Sequence, residues 1–149
     1  MTVKYKLYHR GEGLTFGIQD TESGDSFIEG STPQWEEYQA WLALGNTPIP
    51  LPPSQYYDLV GDDWVYDIAR HKSGTQAANR TACTAHILAS YSIEIQSSMS
   101  LGIYPGVEVE AMTTFIAACI AEENRCFDLI EAAMTEEEIN AITPTWMEV

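Results

Sequence analysis

From Ile68 to Leu101 the chain carries no proline and repeats alanine, so its backbone is free to stay helical for most of that length. Ala78, Ala82, Ala85, Ala89, Ser92, Gln96 and Met99 follow at alternating four- and three-residue spacing, and Leu88, Tyr91 and Ile95 widen the stripe. That pattern predicts one long helix with a broad apolar face, weakened only at Ser73-Gly74. Gly102-Ile103-Tyr104-Pro105-Gly106 ends it, and a second helix is expected from Val107 to Ala133. There Met112, Ile116, Cys119, Cys126, Ile130 and Ala133 keep a heptad-like beat, with Phe115, Ile120 and Phe127 beside it. Thr135-Glu136-Glu137-Glu138 is a capping box that opens a short last helix, halted by Pro144. So short a joint makes the two long helices antiparallel neighbours, each arm reaching on the order of 40 Å at about 1.5 Å per residue. The alanines permit close approach, and the stripe is wider than one partner helix covers. The surplus either packs on other chains or folds back on the N-terminal part.

The N-terminal third has a different grain. Val3, Tyr5 and Leu7 alternate with Lys4, Lys6 and Tyr8, which is a strand pattern. Gly11-Glu12-Gly13 is a turn, Leu14, Phe16 and Ile18 form a second alternating run, and Ser23-Gly24-Asp25 turns into the apolar pair Phe27-Ile28. An antiparallel meander is expected, covered on its apolar face by one short helix. Thr32 caps that helix, Pro33 suits its first position, and Glu36 and Glu37 sit at the positive end of its dipole. Gly45 or Asn46 ends it in the left-handed conformation, and Pro48 forbids continuation. Trp35, Tyr38 and Leu42 share one face with Trp41 beside them, and a helix so short needs that face packed. Eleven of the 16 aromatic residues precede Asp67, as suits a small unit filling its core with few large side chains.

Pro48, Pro50, Pro52 and Pro53 hold the next stretch extended and stiff, close to polyproline II. Such a stretch is far more often a spacer than a ligand for an SH3-type domain. Tyr56 to Val60, Gly61-Asp62-Asp63 and Trp64 to Tyr66 then read as a β-hairpin, with Asp67 as cap of the helix that follows. Asp62-Asp63 capping a helix at Trp64 is the alternative. The fold class expected is therefore α+β: an N-terminal unit over residues 1–47, a Pro-rich linker over 48–55, and a β-hairpin plus helical hairpin over 56–149.

With 22 acidic side chains against 7 basic ones, the formal charge is −15. That field repels nucleic-acid phosphates and anionic lipid, so neither nucleic acid nor membrane is an expected partner. It serves solubility first, and a docking face for a basic partner second. The first residues hold no apolar run like a signal peptide, and no uncharged stretch reaches membrane-spanning length, which points to a cytoplasm as the place of synthesis. Three cysteines, an odd number, argue for free thiols.

Chemistry is sparse. Cys83 and His86 stand one turn apart on a single helix face, and folding about Tyr104-Pro105 levels Cys126 with Cys83, which suggests zinc. Cys119 lies two turns from Cys126, about 10 Å at 1.5 Å per residue, so both cannot reach one metal. No fourth ligand follows, and small apolar behaviour is the default for helical cysteines. The middle of a packed helix offers a Cys–His nucleophile neither cleft nor oxyanion hole. No phosphate loop, dinucleotide fingerprint or hydrolase elbow is present, and His9 and His71 stand alone. The expectation is a non-enzyme with no cofactor, no metal and no catalytic residue.

The segment Tyr38-Gln39-Ala40-Trp41-Leu42-Ala43-Leu44-Gly45-Asn46-Thr47-Pro48-Ile49-Pro50 resembles a recurrent stretch of small tail-fibre and tail-fibre assembly proteins of tailed bacteriophages. In them a Tyr-x-x-Trp-Leu-Ala-x-Gly-Asn-x-Pro-x-Pro string follows a short β-unit and caps it. The match covers about a dozen residues strongly; the strands and the Gly-Asp-Asp-Trp-Val hairpin agree in layout, and the resemblance does not extend to the helical hairpin. The resemblance implies a virion component of the tail-fibre or baseplate region, made in the host cytoplasm. Its helical hairpin would associate with copies of itself or with the fibre. A tail-fibre assembly chaperone is the alternative, and an enzyme using Cys83 and His86 the third. The residues expected to carry structure and interaction are Trp35, Tyr38, Trp41, Asn46, Pro48, Met112, Ile116 and Ile130.

Overall fold

In the computed structural model, residues 3–10 and 16–148 are described, and the chain divides into two units, 1–67 and 68–149. The turn expected at Gly11-Glu12-Gly13, and Leu14 with it, lie outside the described residues.

In the first unit, strands β1 (Tyr5–Tyr8), β2 (Gly17–Asp20) and β3 (Ser26–Phe27) pair antiparallel in that order. Leu7 stands opposite Ile18, and Tyr8 opposite Gly17, where a Cβ would lie 2.3 Å from the Tyr8 ring. Any larger residue at 17 would have to displace that ring. Helix α1 (Pro33–Ala43) has both of its expected ends. The Thr32 hydroxyl accepts the Trp35 N–H, Gly45 takes φ +82°, and the Asn46 amide donates to the Trp41 carbonyl at 2.9 Å. The buried centre is Tyr5, Ile18, Tyr38 and Ile49. Tyr5 meets Phe27, Tyr38 and Trp41 edge-on, with centroids 5.9, 5.2 and 5.1 Å away.

The Pro-rich stretch does not stand apart as a spacer. Ile49 donates to the Tyr5 carbonyl and accepts from the Leu7 N–H, both at 2.9 Å, so it forms a parallel bridge on the free edge of β1. The Trp64 indole N–H donates to the Pro50 carbonyl at 2.8 Å. Two prolines hold the segment extended, and extension is what an edge strand requires. The hairpin forms as expected, β4 (Tyr57–Val60) against β5 (Asp63–Tyr66), turning at Gly61-Asp62. It belongs to the first unit, so the division falls after Asp67 and not after residue 55; the Val3 N–H donates to the Asp62 carboxylate at 3.1 Å.

The second unit holds α2 (Ile68–Ser90), α3 (Ile93–Ser100), α4 (Gly106–Ala132) and α5 (Glu136–Asn140). Helix α2 packs along α4 and runs antiparallel to it: Lys72 reaches the Glu131 carbonyl, Arg80 reaches Glu123, and His86 reaches Phe115. The single helix expected over 68–101 breaks at Tyr91-Ser92, and Gly74 stays helical. Ser92 acts as a cap, accepting the Ile95 N–H, while the Gln96 amide donates to the Tyr91 carbonyl at 2.7 Å. A break whose open groups are satisfied locally costs little. Helix α5 carries the expected capping box of Thr135 and Glu138. Among the described residues no helix is long and apolar enough to cross a membrane.

The face that α2 turns to α4 also differs from expectation. Ala78, Ala82, Ala85 and Ala89 are exposed, while Cys83 is buried and His86, Ile87 and Tyr91 are half-buried. The larger side chains remove more apolar area from water than alanines do, so the helix is turned to bury them.

Candidate functional site

The residues expected to carry structure and interaction lie mainly inside their units. Tyr38, Met112 and Ile130 are buried, Trp35, Trp41, Pro48 and Ile116 are half-buried, and Asn46 is exposed with its amide engaged at the end of α1. Trp35 and Trp41 pack on the cluster of Tyr5, Ile18 and Tyr38, and Ile116 on that of Cys83, Phe115 and Cys119. Exposed apolar side chains lie elsewhere, among them Leu44 after α1, Ile93 at the start of α3, Leu101, Ile103 and Val107 where α3 turns into α4, and Met134 after α4.

Cys83 is not level with Cys126. Its neighbour on α4 is Cys119, seven residues earlier, because the chain between the arms includes α3 and the fold does not pivot at Tyr104-Pro105. Among the described residues no group of three or more His, Cys, Asp or Glu is placed to hold a metal ion. Burial pushes the thiols of Cys83, Cys119 and Cys126 above their ordinary range, which keeps them protonated and weakly nucleophilic. His86 does not bond to Cys83. Its Nε2 lies 2.7 Å from the Met147 carbonyl, which can only accept, so that nitrogen carries the proton. The imidazole stacks with Trp146 (6.1 Å) and lies against Phe115 (5.4 Å). It fastens residues 146–147 to the helices.

A second fastening lies beside it. Arg125 bonds both oxygens of Glu122, at 2.7 and 2.6 Å, and the Thr145 N–H donates to the same carboxylate at 2.7 Å. Arg125, then Thr145, hold the Glu122 carboxyl down to about 2 against an ordinary 4.5. A carboxylate depressed by folding stabilises the native state above its ordinary pKa, and that contribution fades as pH falls from 4.5 towards 2. Glu122→Gln is therefore expected to cost about 1 kcal/mol at neutral pH, since the pair is partly solvated, and to flatten the acid side of the stability curve. Helical circular dichroism melts across that pH range check both. Sequence reasoning missed this clamp, although a Glu–Arg pair three residues apart on one helix was its available sign.

The segment held in this way forms one wall of a groove. Tyr91, Val107, Ala111, Phe115 and Met147 give it an apolar lining, and the exposed carboxylates of Glu110 and Glu148 border the same cavity of about 380 Å³. Between Arg80 and Arg125 the sequence has no lysine or arginine but has Glu94, Glu108, Glu110, Glu122 and Glu123. Neither Glu110 nor Glu148 forms an ion pair among the described residues. The groove thus has an apolar lining, with two carboxylates at its edge that form no ion pair among the described residues. No known protein family, no curated protein and no solved structure matches the chain.

Proposed function

We propose that this chain is a structural protein of a bacteriophage tail, in the tail-fibre or baseplate region, that works through protein–protein contacts. One observation carries the reading. The segment from Tyr38 to Pro50, whose sequence resembles that of small tail-fibre proteins, closes a β-unit: Tyr38 and Trp41 cover the sheet, Asn46 ends the helix, and Ile49 joins the edge of β1. Exposed Leu101 (79%), Ile103 (70%) and Val107 (73%) add apolar surface of the kind that interfaces use. In this role the chain is made in the host cytoplasm and leaves in the virion, bound to a fibre or baseplate protein or to its own copies.

Mass spectrometry of purified particles tests the proposal. The chain is expected among the particle proteins, in a fixed ratio to the fibre. Absence from particles, together with co-purification with unassembled fibre, would point to the second reading, an assembly chaperone. The same exposed aliphatics favour that role, because they would shield a partner's unfinished surface. Absence from both would refute either one.

A further inference from the structure

We propose that the groove between α4 and residues 146–148 seats an amphipathic, basic segment of a partner protein. An apolar side chain would enter against Tyr91, Phe115 and Met147, and a lysine or arginine would meet Glu110 and Glu148. The inference goes beyond the tail reading and does not depend on it.

Charge complementarity identifies the occupant. Two carboxylates that form no ion pair among the described residues border an apolar cavity, on the part of the unit whose sequence is free of lysine and arginine. An occupant that buries an apolar group there brings whatever charge it carries close to both carboxylates, in a partly desolvated setting where a cation is favoured and an anion opposed. Shape supports a polypeptide over a small molecule. Val107 lines the groove, and exposed Ile103 and Leu101 shortly precede it in the chain, so this stretch offers apolar side chains beyond those that line the cavity. An apolar stripe alongside a helix is what an amphipathic helix lies against. A second copy of the chain fits poorly. It brings a further −15 of charge, and in its second unit Lys72 is bonded to the Glu131 carbonyl, Arg80 and Arg125 are paired with Glu123 and Glu122, and Arg70 is engaged as well. Anionic lipid is opposed by the same charge.

The test uses the whole chain as bait for a displayed library of random peptides, with affinities of the selected peptides then measured by fluorescence anisotropy. Enriched peptides are expected to pair apolar residues with lysine or arginine one helical turn away. Glu110→Lys is expected to weaken them at least about tenfold, and Ala111→Trp, which fills the groove from an exposed position, by as much or more. Unchanged circular dichroism shows that both variants stay folded. Peptide binding should weaken with added salt. The proposal is overturned if nothing is enriched, if the enriched peptides lack basic residues, or if Ala111→Trp leaves their binding intact. A dimer in sedimentation that Ala111→Trp dissolves would likewise overturn it, assigning the groove to a second copy.

Discussion

Tyr38→Ala is expected to unfold the first unit. The side chain is 5% exposed and stands at the centre of the aromatic cluster, with Tyr5 at 5.2 Å, Phe27 at 6.1 Å, Trp35 at 5.6 Å and Trp41 at 6.2 Å between centroids. Truncating a buried aromatic ring costs about 3–5 kcal/mol, and each lost aromatic pair adds to that beyond the area term. A unit of this size holds on the order of 3–10 kcal/mol in all. Little would remain of the lid that α1 forms over Tyr5 and Ile18. Tyr38→Phe keeps the rings and is expected to change stability by less than about 1 kcal/mol. Near-ultraviolet circular dichroism follows the aromatic cluster, and the signal at 222 nm, carried mostly by α2 and α4, reports the second unit separately. A Tyr38→Ala protein with the wild-type near-ultraviolet spectrum and melting curve would contradict the packing described here.

What could be read in advance divides along a physical line. Features whose causes lie within a few residues were legible: Thr32 and Pro33 at the start of α1, Gly45 at its end, the Gly61-Asp62 turn of the hairpin, and the Thr135–Glu138 capping box. Each is a local hydrogen-bonding or dihedral preference, and distant residues did not override it. Features set by competition between distant surfaces were not. The alanine stripe of α2 has sound helical spacing, yet the neighbouring stripe through Cys83, Ile87 and Tyr91 buries more apolar area and takes the seam. Residues 48–50 carry a strong preference for extension, but whether an extended segment is a tether or an edge strand depends on Tyr5 and Leu7. The groove is of the second kind, since its walls come from the end of α2, from α4 and from residues 147–148. The lack of lysine and arginine between Arg80 and Arg125 was the one part of it visible in the sequence.

Ile130→Asp carries the largest expected effect in the second unit. Ile130 is 0% exposed and sits on the heptad-like stripe of α4 with Met112, Cys119 and Cys126, all buried. An aspartate there loses the isoleucine's packing and must either strand a carboxylate away from water or take up a proton. Each route exceeds about 3 kcal/mol, and leaving a buried charge unpaired is the costlier. The unit's own charge makes matters worse, with Glu122, Glu123, Asp128 and Glu131 on the same helix and only Arg125 among them. Ile120→Asp is the matched control: the same substitution on the same helix, at a position 46% exposed. It is expected to cost less than about 1 kcal/mol. Chemical denaturation followed at 222 nm should show Ile130→Asp largely unfolded without denaturant and Ile120→Asp close to wild type. Equal losses in the two variants would mean that the α2–α4 seam does not run through Ile130. If Ile120→Asp alone unfolded the chain, the buried face of α4 would have to be the one assigned here to solvent.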